Sequence, residues 1–278
     1  MNEAVPAGPE FLIESEQTGV RLNLGELWRF RELLYFLTLR DIKVRYKQTL
    51  LGIAWVLIQP FLTMLIFSLV FSRFVKVNTG AMPYPLFALS GLMLWLFFAN
   101  AVTNSTASLV LNAQLITKVY FPRMFIPAAT VGTGLVDSGI SLLLLIAVAI
   151  YYGTAWTLSA LLLPLFILMM ALFALGVGLI FASLTVKYRD LRHALPFLIQ
   201  LWMFASPVVY PASVVPAKWH WLLVINPIAA ILEGFRAALT GAAIDWQNTL
   251  IAFAIILFVL IVSLYIFRRA EDGFVDVI

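Results

Sequence analysis

The sequence predicts an all-α polytopic membrane protein: six transmembrane helices, an N-terminal amphipathic interface helix, and short re-entrant or outer helices before the last span. Three observations carry that prediction. Hydrophobic residues make up 63% of the 278 and charged residues 12%, with a mean hydropathy of +0.99, a balance foreign to soluble globular domains. The apolar residues gather into six runs of about 20 residues or more, enough to cross a hydrocarbon layer about 30 Å thick. The basic residues collect at alternate connections between the runs, as topology determinants do.

Residues 1–22 read as a disordered cytoplasmic tail, polar and punctuated by Pro6, Gly8, Pro9 and Gly19. No apolar h-region of a signal peptide follows it. Residues 23–47 read as an amphipathic interface helix. Asn23 is its N-cap candidate with Glu26 three residues on, and Leu27, Phe30, Leu34 and Leu37 form an apolar stripe. Trp28 and Tyr35 suit the headgroup level, although a soluble helix packed on a partner fits the same stripe. Toward its end Arg40, Lys43 and Lys47 share a face and Asp41 is spaced to pair with Arg45 at i, i+4. That face suits anionic headgroups, and the same run also serves as the positive flank of a first span.

Residues 48–278 form the transmembrane domain, with spans expected near Gly52–Ser72, Leu86–Leu111, Met124–Tyr152, Ala160–Leu184, Ala194–Val215 and Thr249–Phe267. With both termini in the cytoplasm, fourteen of the 18 Lys and Arg residues lie on the cytoplasmic side and only Arg73, Lys76, Lys218 and Arg236 on the other. Pro196, Pro207 and Pro211 interrupt the fifth run, and broken backbone at membrane depth is tolerated only against protein or a water-filled cavity. Residues 216–248 are too long for a tight turn and too apolar for a free loop. Two short outer helices are expected there, the second capped by Asn226 with Pro227 at its first position. Glu233 and Arg236 are spaced to pair on that outer helix. No internal repeat supports an inverted-repeat transporter.

Asp137 is the only acid expected within a span, which makes it a functional candidate. The small residues Gly134, Ser138 and Gly139 around it favour a hydrogen-bonded packing contact between helices over proton coupling. Other chemistry finds no support. The sequence has no Gly-x-x-x-x-Gly-Lys-Ser/Thr, no Gly-x-Ser-x-Gly and no cysteine, and its two histidines, His193 and His220, are expected on opposite membrane faces. No catalytic residue, no metal site and no cofactor bound by this chain are therefore expected. The pI near 9.4 does not imply nucleic acid, because the basic residues flank apolar runs.

Several stretches in order resemble the ABC-2 type permeases that export polysaccharides. They are Arg45-Tyr46-Lys47 with Leu51-Gly52, Trp55 and Gln59-Pro60; Ser90-Gly91 with Trp95 and Phe97-Phe98; and Asn112 with Leu115-Ile116, Lys118 and Phe121-Pro122-Arg123. Tyr188-Arg189-Asp190, Ser206-Pro207-Val208-Val209-Tyr210 and Asn226-Pro227 follow in the same order, so the likeness runs from about Leu24 to the C-terminus. The resemblance implies a homodimer in the bacterial cytoplasmic membrane with two copies of a separate ATP-binding cassette subunit, which binds ATP and Mg. The cargo implied is a lipid-linked glycan of the O-antigen, capsule or teichoic-acid type. It assigns ATPase coupling to Lys118, Tyr120, Phe121, Pro122 and Arg123, with Tyr188, Arg189 and Asp190 on the second connection.

On the same reading, Arg40, Lys43, Arg45 and Lys47 attract the lipid carrier's pyrophosphate at the entrance. Trp55, Phe61, Trp202, Phe204 and Tyr210 line a channel at the dimer centre, where aromatic faces give a sliding sugar chain shallow contacts. Trp219, Trp221, Glu233 and Arg236 belong to an outer gate. The rival readings are an ABC-2 exporter of lipids or drugs, a proton-coupled transporter using Asp137, and an intramembrane enzyme acting on polyprenyl-type lipids.

Overall fold

The computed structural model describes residues 24–47, 52–75, 77–80, 82–119, 121–155, 157–271 and 273–274, and every regular element among them is helical. The tail over 1–22, the Asn23 cap, Lys76 and Tyr120 lie outside the described residues.

The expected interface helix is two helices, α1 (Leu24–Arg29) and α2 (Arg31–Lys47), joined at Phe30. Phe30, Leu34 and Leu37 of the predicted stripe, with Leu33, pack on Leu115, Phe125 and Ala129 rather than facing outward. Trp28 and Tyr35 remain exposed.

Among the described residues, five helices are long and apolar enough to cross a membrane: Ala54–Ser72, Tyr84–Leu111, Phe125–Tyr151, Leu158–Lys187 and Trp246–Glu271. These match five of the six expected runs to within a few residues, the usual uncertainty of a helix end. The first comprises α3 (Ala54–Phe67), which widens into π-type turns over Ser68–Phe74. The second is α4 (Tyr84–Leu111), followed by the six-residue α5 (Ala113–Lys118) and then by α6 (Phe125–Tyr151). A 3-10 turn, Leu158–Leu162, leads into α7 (Leu163–Lys187).

The fifth run departs from expectation. Its helix, α8 (Leu191–Ala205), has 15 residues and is about 22 Å long, short of the hydrocarbon thickness. Ser206 leaves it in an extended conformation, and Pro207 and Pro211 follow without N–H donors to continue it. The chain then forms α9 (His220–Ile225) and α10 (Pro227–Thr240) before α11 (Trp246–Glu271). The segments Ala217–Ile225 and Pro227–Thr240 meet at 93°, and counted as one broken span they bring the crossings to six. Asn226 caps α10 as predicted: its side-chain oxygen accepts from the Ile228 N–H at 3.2 Å, with Pro227 in the first turn. Gly241 ends α10 in the left-handed region at φ 74°, where a Cβ would also meet Thr157.

The core lies around α4 and α7, which are 78% and 61% buried over their spans, against 11% for the first span and 22% for α11. Phe98 stacks on Phe173 at 5.4 Å, and Trp202 of α8 meets both rings edge-on. Backbones approach closely at glycines: a Cβ on Gly178 would sit 2.8 Å from Ser105 Cβ, and one on Gly176 3.4 Å from the Leu260 backbone. The helices place Lys118, Arg123, Lys187 and Arg268 at one end of the bundle, called here the basic end. The turns around residues 78, 153, 213 and 243 lie at the other.

Candidate functional site

At the close of α2, Arg45 donates to Asp137 of α6 through Nη1, and the Tyr46 hydroxyl donates to the other oxygen of the same carboxylate. The predicted Asp41–Arg45 pair is replaced by Asp41 with Arg40, whose guanidinium also reaches Asn112 Oδ1 at 2.9 Å. Nearest-neighbour spacing favoured the local pair, but Arg45 faces α6 and its carboxylate. Partial burial, and then the hydrogen bond to Asp137, push the Tyr46 phenol up to about 12, so it stays a donor at neutral pH. Asp137 thus makes the interhelical contact that its small neighbours suggested. Of the four expected entrance cations, Arg40 and Arg45 hold carboxylates, while Lys43 and Lys47 are exposed.

Around this contact lies a cavity of about 270 Å³ between α3, α4 and α6, bordered by Arg45, Tyr46, Trp55, Gln59, Asn100, Asn104, Asp137 and Ser138. Asn100 and Asn104 were missed by the sequence reading. Two amides one turn apart in an apolar run are the signal that could have found them.

The second assembly is built on Arg236 of α10. Spaced to pair with Glu233 on the outer helix, it is instead buried at 7% exposure and turned to other partners. Its guanidinium donates to the carbonyls of Pro207 at 2.8 Å and Val208 at 2.6 Å, beyond the end of α8, and to Phe87 O and Ser90 Oγ of α4. It also lies 3.6 Å over the Phe87 ring. The broken end of α8 leaves carbonyls without helical donors, and the planar fork of Arg236 satisfies them. Gly91 makes room: a Cβ there would sit 2.3 Å from Val208 O and 2.5 Å from Arg236 Nη2. Asn226 Nδ2 to Ser206 Oγ at 2.8 Å and the Tyr84 hydroxyl to Val209 O at 2.7 Å fasten the same loop. Of the other expected gate residues, Trp219, Trp221 and Glu233 are exposed.

Arg236 also borders a larger cavity of about 820 Å³ at the end away from the basic residues, with Glu233, His220 and Asp245. A third, of about 410 Å³, lies between Trp202, Tyr210, Trp219 and Asn226.

The five channel aromatics do not form one surface within the protomer. Trp55, Phe61 and Phe204 are exposed. Trp202 is packed against Phe98 and Phe173, and Tyr210 turns its hydroxyl back to Phe204 O at 2.9 Å.

At the basic end the two coupling connections differ. Phe121, assigned to coupling by the resemblance, is buried with Ile116, Ile126 and Phe267, and Pro122 is buried beside it. Its neighbour Arg123 is held by α11: the Arg123 N–H donates to Glu271 Oε1 at 2.9 Å and its guanidinium to Glu271 O. An apolar ring at a short corner gains more from the core than from water, so Phe121 anchors the corner from within. Lys118 remains exposed, as do Tyr188, Arg189 and Asp190 of the second connection.

Among the described residues no group of His, Cys, Asp and Glu is placed to hold a metal ion. The family model for the ABC-2 type transporter matches residues 32–240. The O-antigen export system permease protein RfbA of Klebsiella pneumoniae is 30% identical over 260 residues, covering 93% of this chain and 98% of that protein. RfbA of Myxococcus xanthus is 31% identical over 251 residues, covering 88% and 96%. The polysialic acid transport protein KpsM of Escherichia coli is 24% identical over 239 residues, covering 85% and 93%. A family match over most of the chain and near-full-length relatives on either side of 30% identity lead to one conclusion: this multi-pass membrane protein belongs to the ABC-2 type transporter family.

Proposed function

We propose that the chain is the membrane-spanning permease subunit of an ATP-driven exporter that moves lipid-linked polysaccharide across the bacterial cytoplasmic membrane. The observation that carries this reading is the near-complete alignment with O-antigen export permeases, 93% of this chain against 98% of the relative. Two such subunits form the transport unit, with both termini in the cytoplasm, and two copies of a separate ATP-binding subunit supply the hydrolysis. The exposed Lys118, Tyr188, Arg189 and Asp190 offer that subunit a mixed-charge docking face at the basic end. Lys43 and Lys47, left exposed on α2, are the cations best placed to meet the carrier's phosphates. The Arg236-clamped loop between α8 and α10 forms the outer gate, and the exposed Trp219 and Trp221 flank its approach.

Gentle detergent extraction from the native membrane, followed by intact-complex mass measurement, tests the assembly. The expected particle holds two copies of this chain and two of a P-loop ATPase. Recovery of this chain alone, repeatedly and in mild detergent, would overturn the reading.

A further inference from the structure

The cavity of about 270 Å³ beside the Arg45–Asp137 contact has a lining whose chemistry is unusual for a membrane bundle. Asn100 and Asn104 stand one turn apart on α4, about 16 Å and about 10 Å along the helix from its end at Leu111. They therefore lie within the apolar length of the span. Among the described residues neither amide has a hydrogen-bond partner; Asn104 is half-buried in the cavity and Asn100 is exposed at its mouth. On α6, Ser138 is 2% exposed, borders the cavity and keeps its hydroxyl unpaired. From α3, Trp55 and Gln59 face the same space one turn apart. Unpaired polar groups in an apolar medium are costly, so a cavity that gathers several is built for something that pairs with them.

The kind of ligand follows from the inventory. Arg45 and Tyr46 occupy the Asp137 carboxylate, so the charges at the rim are already balanced and the free groups are neutral. Amides and a hydroxyl each offer a donor beside an acceptor, which matches the adjacent hydroxyls of a sugar ring. The indole of Trp55 offers an apolar face for the ring's C–H side. A purely apolar molecule would leave Asn100, Asn104 and Ser138 unpaired, and a bare anion would find its one nearby cation engaged. At about 30 Å³ of liquid per water molecule, the volume is that of fewer than ten waters, room for one sugar ring.

We propose that this cavity is a sugar-binding site that reads the glycan residue nearest the lipid carrier as it enters from the basic end. The proposal rests on the polysaccharide reading given above and adds to it the residues that recognise sugar.

The test uses the full permease–ATPase complex in lipid nanodiscs. Two probes are compared by the concentration that half-maximally stimulates ATP hydrolysis: polyprenyl pyrophosphate bearing one N-acetylhexosamine, and the bare polyprenyl pyrophosphate. Wild type is expected to prefer the glycosylated probe. Asn100→Ala with Asn104→Ala should cut that preference by about tenfold, the scale of a lost hydrogen-bonding set. Ser138→Ala should cut it less while leaving thermal stability unchanged or higher, because it deletes a buried unpaired hydroxyl, and this separates recognition from folding. Variants that keep the wild-type preference, or that weaken both probes equally, would overturn the cavity proposal and leave the export reading standing. A wild-type complex that answers to neither probe would overturn both.

Discussion

At the scale of single residues, Arg236 carries the most structural consequence. A buried guanidinium with four acceptors ties α10, the loop after α8 and α4 together. Lysine keeps the charge but not the fork, and each charge-assisted hydrogen bond lost costs about 1.5–3 kcal/mol. Arg236→Lys is therefore expected to lower the unfolding temperature of the purified protein clearly, and Gly91→Ala to cost about 1–3 kcal/mol by pushing Val208 O and the guanidinium away. Gly139→Ala is the control: a Cβ there meets nothing within 4 Å, and the change should stabilise α6 by up to about 1 kcal/mol. Differential scanning fluorimetry reads all three, and an Arg236→Lys protein as stable as wild type would remove the clamp. None of this was legible beforehand. The partners of Arg236 are backbone carbonyls distant in sequence, and carbonyls carry no residue label; from spacing alone Glu233 was the visible neighbour.

At the scale of elements, the helices that cross the bundle in one piece were readable because length and apolarity define them. The fifth was misjudged in extent: three prolines showed that it was broken, but not that helix would cease at Ala205 and the chain return through α9 and α10. The Asn226-Pro227 start of α10 was readable because capping is a local, short-range interaction. α2 was legible as a helix carrying an apolar stripe, whereas the seat of that stripe on α6 needed tertiary information. That seat can be tested. A Cβ on Gly132 would lie 3.7 Å from Thr38 Cβ, within the range a disulfide spans, and the chain has no native cysteine. Thr38→Cys with Gly132→Cys should cross-link within one chain under mild oxidation, seen as a mobility shift reversed by reductant. Absence of the bond would mean that α2 lies elsewhere. Asp137→Asn should leave the cross-link in place, because Phe30, Leu33, Leu34 and Leu37 still seat the N-terminal helices on Leu115, Phe125 and Ala129.

At the scale of the whole molecule, the proposed dimer raises the question of which apolar faces meet lipid and which meet a second copy. Exposed hydrophobic residues alone do not decide, since α3, α8 and α11 all carry them: Leu62, Leu201 and Phe258 are 51%, 49% and 66% exposed. Polar residues on those faces do decide. Along its exposed face α11 presents Leu250, Phe253, Leu257, Phe258 and Ile261, a surface that lipid solvates at no cost. α3 instead exposes Gln59 and α8 exposes Gln200, and Asn100 is exposed beside them on α4. Amides are expensive against acyl chains, so these faces are covered by protein or by the water of a passage. In the proposed dimer the two conditions would coincide where two copies meet around a channel, and Trp55 and Phe204 are exposed on the same helices. Because the chain lacks cysteine, single substitutions report this directly. In native membranes treated with a short flexible bismaleimide, Leu62→Cys and Leu201→Cys are expected to give cross-linked dimers and Phe258→Cys to stay monomeric. Dimers through Phe258→Cys, with none through the other two, would place the protein interface on α11 and move the channel away from α3 and α8.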